Sequence, residues 1–222
     1  MNHRPQLEVV AAPDELAVVA AAVVVDRIRA VHAQGRIFRF AVSGGRTPWA
    51  MFEHVRSADL MWDRVEIFQV DERVAPLGDS SRNLTHLLAG LPAAATVHAM
   101  PVDDADLDAA ADRYAAELPE RLDLIHLGLG PDGHTASLVP GDSVLSVTDR
   151  VVAMTSAYQG QRRMTLTYPG IARAAEVLWL VAGGDKADAL RSLLDGDLSI
   201  PASRVEVPVQ LALVDRSAAA RL

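Results

Sequence analysis

The chain contains no cysteine. This excludes disulfides, a thiolate nucleophile and zinc or iron–sulfur centres held by cysteine, and it fits a reducing compartment. Aromatic residues make up only 5% of the 222 positions, so Ala and aliphatic side chains must supply most of the core. Lysine is almost absent: Lys186 is the only one, and arginine carries nearly all the remaining positive charge. A codon bias toward Ala and Arg accounts for this, and a lysine that survives such a bias is worth checking for a role that Arg cannot fill. No basic stripe is present and the net charge is −8, which argues against a nucleic-acid partner. No apolar run is long enough to cross a bilayer. The longest, LAVVAAAVVV (Leu16 to Val25), falls short of a span and follows Asp14 and Glu15, where a signal peptide would be basic. It is read as part of a buried helix running from Pro13-Asp14 through Arg29. The expectation is a soluble, cytoplasmic protein without a membrane partner, a monomer or weak homodimer.

Half of the residues are apolar, enough for a sizeable core. Strand-like runs alternate with helical stretches, as in α/β folds. The strands read are Ile37–Ser43, Val65–Val70, Leu122–Gly130, VVAMTS, RMTLT, Val177–Gly183 and VQLALVD; an amphipathic helix is expected over Asp103–Glu117. A further helix should start near Thr47-Pro48, with a capping hydroxyl followed by Pro. No linker or repeat divides the chain, so residues 1–222 are read as a single α/β domain, a Rossmann-like, mostly parallel sheet flanked by helices.

In such sheets ligands bind beyond the carboxyl ends of the strands. Ser43-Gly44-Gly45, Asp71-Glu72-Arg73, Gly128 to His134 and Gly183 to Lys186 all fall there, and this convergence carries more weight than any one motif. Ser43-Gly44-Gly45 followed by a helix reads as a phosphate cradle, with the Thr47 hydroxyl available. Lys186 opens a helix where its charge opposes the dipole, a conflict that a bound anion would relieve. Asp71 and Arg73 close a strand. Arg162 and Arg163 enter another, on opposite faces under period-two alternation.

GLGPDGHTASLVPG, from Gly128 to Gly141, matches G-x-G-x-x-G in its first six residues. A dinucleotide loop needs a full helix after the third glycine. Pro140 limits that segment to under two turns, and Asp132 would repel a pyrophosphate. The alternative is chemical: His134, beside Asp132 at a helix N-terminus, acts as a general base whose tautomer the carboxylate holds. His3, His32, His54, His86, His98 and His126 sit in no comparable loop. No second His or carboxylate stands at metal spacing in the motif, so the metal-binding signal is weak.

SGGRTP, DERVAP, GLGPDGHTASLVPG, RMTLT and GGDKADAL occur in an order that resembles the 6-phosphogluconolactonases, over nearly the whole chain. The related glucosamine-6-phosphate deaminases share DGH but follow it with a block of the form IAFNEP; this chain reads TASLVP. The resemblance implies hydrolysis of 6-phospho-D-glucono-1,5-lactone to 6-phosphogluconate in the oxidative pentose phosphate pathway, without a cofactor. It implies that His134 activates water with Asp132 as its neighbour, and that Ser43, Gly44, Gly45, Arg163 and Lys186 hold the phosphate. Asp71 and Arg73 then line the sugar site, and Thr47 and Gly130 join the binding residues. Two positions depart from the family pattern: Arg82-Asn83 where Ser-Asn is common, and YQGQR where a Pro-rich stretch often precedes the R-x-T-L-T strand. The competing readings are a sugar-phosphate deaminase or isomerase of the same fold, and a non-catalytic sugar-phosphate sensor.

Overall fold

The computed structural model describes residues 4–222, which leaves His3 outside. In chain order the elements are β1 (Gln6–Val10), α1 (Pro13–His32), β2 (Phe38–Val42), α2 (Arg46–Val55), β3 (Val65–Gln69), β4 (Asp71–Arg73), α3 (Asn83–Gly90), β5 (Thr96–His98), α4 (Leu107–Glu117), β6 (Leu124–Leu127), β7 (Val152–Met154), β8 (Arg163–Leu166), α5 (Tyr168–Ile171), β9 (Glu176–Val181), α6 (Ala187–Asp195) and β10 (Val209–Asp215). Seven strands form an all-parallel sheet in the order β1-β10-β9-β6-β2-β3-β5. Such a sheet must be covered on both faces, and alternation along its strands does this. Phe38, Phe40 and Val42 of β2, Leu124 of β6, and Leu178 and Leu180 of β9 pack with α1 and α2. Ala41, Ile125, Leu127, Val177, Trp179 and Val181 enter the opposite core, which includes residues of α4, α5 and α6.

The apolar run in α1 is buried on one side only. Leu16, Ala17, Ala20, Ala21 and Val24 face the core, whereas Val18 is 51% exposed. Among the described residues no helix is long and apolar enough to cross a membrane.

Several expectations need correction. RMTLT and VVAMTS do not join the main sheet. With Asp71–Arg73, which follows β3 after a single residue, they form a separate three-stranded antiparallel sheet in the order β4-β8-β7. The two sheets are joined where the Leu166 N–H donates to the Val70 carbonyl, 2.8 Å. The second helix begins at Arg46 with Gly45 at its N-cap, and no side chain caps it; the Thr47 hydroxyl is therefore not a cap. The expected helix over Asp103–Glu117 is shortened to α4, because the Asp106 side chain accepts from the Ala109 N–H and starts it there. No helix follows Gly133. Residues 128–141 form a chain of turns with a bridge between Thr135 and Leu138.

One buried carboxylate organises the β4–α3 region. Glu72 is fully buried. It accepts from Gln69 Nε2 (2.8 Å), the Arg73 N–H (2.8 Å), the Asn83 N–H (2.7 Å) and the Leu84 N–H (2.8 Å). The last two bonds cap α3 from a distance in sequence. Arg82, 1% exposed, lies 3.5 Å away and also reaches Asp103 and the Met100 carbonyl. Glu72→Ala leaves Arg82 without its buried partner and two helix N–H groups without an acceptor, so a loss of about 3–5 kcal/mol is expected in urea unfolding. A loss under about 1 kcal/mol would show that water replaces the carboxylate.

Candidate active site

Strand order reverses between β2 and β6. The chain moves outward from β2 through β3 to β5 on one side and from β6 through β9 to β10 on the other. At such a reversal the loops leaving the two strands part and open a crevice. Ser43 to Gly45 leave β2 and Gly128 to His134 leave β6, so both motifs arrive at the same place.

The crevice holds two clefts. One, of about 110 Å³, is lined by Ser43, Gly44, Asp71, Arg73, Asn83, Gly128, Gly130, His134 and Arg163 among others. The second, of about 170 Å³, is lined by Gly44 to Pro48, His126, Gly128 and Lys186 together with Leu180 and Ala182. Gly44 and Gly128 belong to both. Each is smaller than the roughly 300 Å³ of a typical small-molecule site, and the two lie side by side along Gly44 and Gly128. The structure thus gathers Ser43, Gly44, Asp71, Arg73, Gly130, His134 and Arg163 around the first cleft, and Gly45, Thr47 and Lys186 around the second. Asp132 enters through His134.

His134 Nδ1 lies 2.5 Å from Asp132 Oδ1, and the His134 backbone N–H donates to the same oxygen at 3.2 Å. A carboxylate accepts only, so Nδ1 carries the proton and Nε2 is left as the proton acceptor. Burial pushes the Asp132 carboxyl up, but the bonds from the His134 N–H and ring outweigh it and hold the group below its ordinary value. The loop is compact around this pair: the Gly130 N–H donates to the His134 carbonyl (2.8 Å) and the Gly133 N–H to the Gly130 carbonyl (3.0 Å). His134 therefore owes its place to a turn, and not to the helix N-terminus expected from sequence. A methyl group on Gly130 would meet the His134 ring, and one on Gly44 would meet the Asn83 side chain, so a larger residue at either position would displace those groups.

At the far wall of the first cleft, Asp71 is buried and accepts from Ser137 Oγ at 2.6 Å. Arg73 Nη1 donates to the Ser81 carbonyl (2.9 Å) and Asn83 Oδ1 (2.6 Å), and Asn83 Nδ2 donates to the Asp71 carbonyl (2.9 Å). Arg163 is buried while Arg162 is exposed, as the alternation predicts. Burial draws the Arg163 guanidinium below its usual value; Asp71 opposes this and Arg73 adds to it. Lys186 sits at the N-cap position of α6 and pairs with Asp185 at 2.8 Å, so a neighbouring carboxylate meets its conflict with the helix dipole.

Asn83, Ser137 and His126 were not singled out from sequence as site residues. Asn83 directly follows the unusual Arg82, which lines neither cleft and turns instead into the Glu72 network. His126 lies in β6, where an apolar strand gives no sign that a cleft wall is near. Its two ring nitrogens, Ser43 Oγ and Arg163 Nε are buried with no hydrogen-bond partner among the described residues. No group of three or more His, Asp or Glu side chains among the described residues could hold a metal ion.

Residues 11–214 match the family model described as glucosamine-6-phosphate isomerases/6-phosphogluconolactonase. The chain is 33% identical to a 6-phosphogluconolactonase of Nostoc, covering 95% of this chain and 96% of that protein. It is 36% identical to the 6-phosphogluconolactonase of Mycobacterium tuberculosis, over 87% and 88%. Its fold matches the 6-phosphogluconolactonase structure from Trypanosoma cruzi, with a TM-score of 0.86 at 25% identity over 100% and 98% of the two chains. A monomeric glucosamine-6-phosphate deaminase, 19% identical, has the same fold with a TM-score of 0.85 over 98% and 100%.

Two tests follow from this geometry. Gly130→Ala should drive the His134 ring off Asp132, seen as loss of the downfield Nδ1–H proton signal in a variant that still folds; survival of that signal would refute the close packing. His126 provides the second test. Burial drives its imidazole down to about 3, against a smaller upward pull from the Ser43 backbone. The unfolded chain, with the ordinary value of 6.5, takes up the proton first on acidification. Stability is therefore full above pH 6.5 and declines below it, by up to about 1.4 kcal/mol per pH unit. Urea unfolding at about pH 7 and about pH 5 should show a smaller acid loss in His126→Leu than in the wild type; equal losses would contradict this account.

Proposed function

The chain belongs to the glucosamine-6-phosphate isomerase/6-phosphogluconolactonase family, and on that footing we propose that it hydrolyses 6-phospho-D-glucono-1,5-lactone to 6-phospho-D-gluconate, a step of the oxidative pentose phosphate pathway. The observation that carries this reading is the 2.5 Å contact between His134 Nδ1 and Asp132 Oδ1, which leaves Nε2 basic at the wall of a cleft lined by arginine. The relatives named 6-phosphogluconolactonase across nearly the full chain support it.

In the proposed mechanism His134 Nε2 takes a proton from a water molecule as its oxygen attacks the lactone carbonyl carbon. Asp132 stabilises the imidazolium. Negative charge grows on the carbonyl oxygen and needs a donor. The Gly130 and Gly133 N–H groups are already bonded within their loop, so this role is given to Arg73, whose guanidinium uses Nη1 for Ser81 and Asn83. The tetrahedral intermediate collapses, the bond from the carbonyl carbon to the ring oxygen breaks, and the imidazolium returns its proton to that oxygen. The product acid then ionises. Asp71 orients sugar hydroxyls.

The phosphate is placed where the clefts meet. There the first N–H groups of α2 have no partner within the helix, and Ser43, Gly44, Gly45 and Thr47 border the space. Lys186 approaches from the second cleft and Arg163 from the first. A monomer or weak homodimer in the cytoplasm completes the reading, with residues 1–222 as one catalytic domain.

With freshly generated lactone, His134→Ala is expected to lower kcat by about 10²-fold or more and to change KM little. An unchanged kcat, or release of ammonia from glucosamine 6-phosphate, would overturn the assignment. Lys186→Ala should raise KM for the phosphorylated lactone by about 10-fold and leave unphosphorylated gluconolactone unaffected; equal losses with both would remove Lys186 from the phosphate.

A further inference from the structure

The YQGQR segment, residues 158–162, places an aromatic ring against the site. Residues 158–161 form a tight turn. The Tyr158 N–H donates to the Gln161 carbonyl (3.0 Å) and the Gln161 N–H returns to the Tyr158 carbonyl (3.3 Å). Gln159 and Gly160 between them have φ of 53° and 82°. Two consecutive left-handed residues make the hairpin turn that suits the twist of paired strands. The turn leads directly into β8 and Arg163.

From this turn the Tyr158 side chain touches three residues of the proposed site. Its ring lies 5.6 Å from that of His134 at 64°, an edge contact. Its face lies 5.1 Å from the Arg163 guanidinium carbon. Its hydroxyl is 3.4 Å from Asp132 Oδ2, the oxygen that His134 does not use. Edge-to-face contacts between rings and cations over aromatic faces are both attractive and orientation-dependent. The ring therefore resists rotation of the imidazole away from Asp132 and holds the guanidinium flat.

Resting on the lactonase reading, we propose that Tyr158 is a positioning residue: one aromatic ring braces the general base, and its face fixes the arginine assigned to the phosphate. The contacts that matter are those of the ring, because the hydroxyl contact is long. The exposed turn gives this ring no other evident purpose, since neither hydrophobic core includes it.

Tyr158→Phe keeps the ring and Tyr158→Ala removes it. The Phe variant should retain kcat and KM within about twofold of the wild type, whereas Ala should lose about five- to tenfold in kcat and raise KM severalfold. In a His134→Ala background the same Tyr158→Ala change should have no further effect on kcat, because Tyr158 acts through His134. Three outcomes would overturn the proposal: an Ala variant within twofold of the wild type, a Phe variant as damaged as Ala, or an undiminished kcat loss in the His134→Ala background. The His134 ring-proton NMR signals give a readout independent of turnover. They should move in Tyr158→Ala and stay in Tyr158→Phe, and signals unmoved in Ala would refute the contact. If the wild type releases no product while these signals behave as expected, the lactonase reading fails and the positioning contact stands.

Discussion

The parting of β2 and β6 is the constraint on which the site depends. Two parallel strands pair side by side, yet their successors leave in opposite directions. The loops after Val42 and Leu127 part there and border the two clefts. Pairing of Val42 with His126 and of Ala41 with Ile125 sets how far each strand extends before its loop begins. A register slip of one residue would turn Ser43 and Gly128 away from each other and exchange the faces buried against α2 and α4.

A second layer of control comes from the short antiparallel sheet. β4 leaves the main sheet after Val70 and pairs with β8, so that Arg73 lies opposite Arg163 in register. Two like charges side by side repel. Asp71, buried two residues earlier, supplies a compensating charge, and its effect on Arg163 runs in that direction. Glu72 faces away from this cluster. Its carboxylate holds Gln69, Arg82 and the first N–H groups of α3, which places Asn83 against both Asp71 and Arg73. Consecutive residues of DER thus serve different tasks, with Asp71 and Arg73 lining the cleft and Glu72 fixing the scaffold beneath, because successive strand residues point to opposite faces.

The central strands were legible in sequence because they are apolar on both faces: Phe38–Val42, Val65–Gln69, Leu124–Leu127, Glu176–Val181 and Val209–Asp215 stand within a residue or a few of their expected places. β1 and β5 were not. β1 is an edge strand, mostly exposed and carrying Gln6 and Glu8, and β5 has three residues, so neither has a clear hydrophobic signature. α3 escaped because its cap, Glu72, lies eleven residues before Asn83, beyond any local signal. The antiparallel sheet escaped because which strands pair is decided by tertiary contacts. In the site, the loop positions were readable from Gly, Asp and His spacing. The helix assigned after Gly133 was an error of the same motif logic: glycines that suit a phosphate loop equally suit a turn that folds a histidine back onto its own aspartate.

The charge distribution shows how an acidic chain can hold an anion. Its net charge is −8, which opposes a phosphorylated substrate at a distance. That opposition is screened beyond about 8 Å at physiological salt, so only nearby charges decide binding. Arg73, Arg163 and Lys186 line the two clefts, and Arg46 lines the second beside the open end of α2. The carboxylates among them are committed: Asp71 to Ser137 and Asp132 to His134. A neutral His126 in the wall adds no charge, since burial keeps the proton off its ring. Lys186 is itself paired with the exposed Asp185, so the arginines supply the local excess of positive charge, and a site can be locally positive in a globally negative molecule without any basic patch that the sequence would reveal.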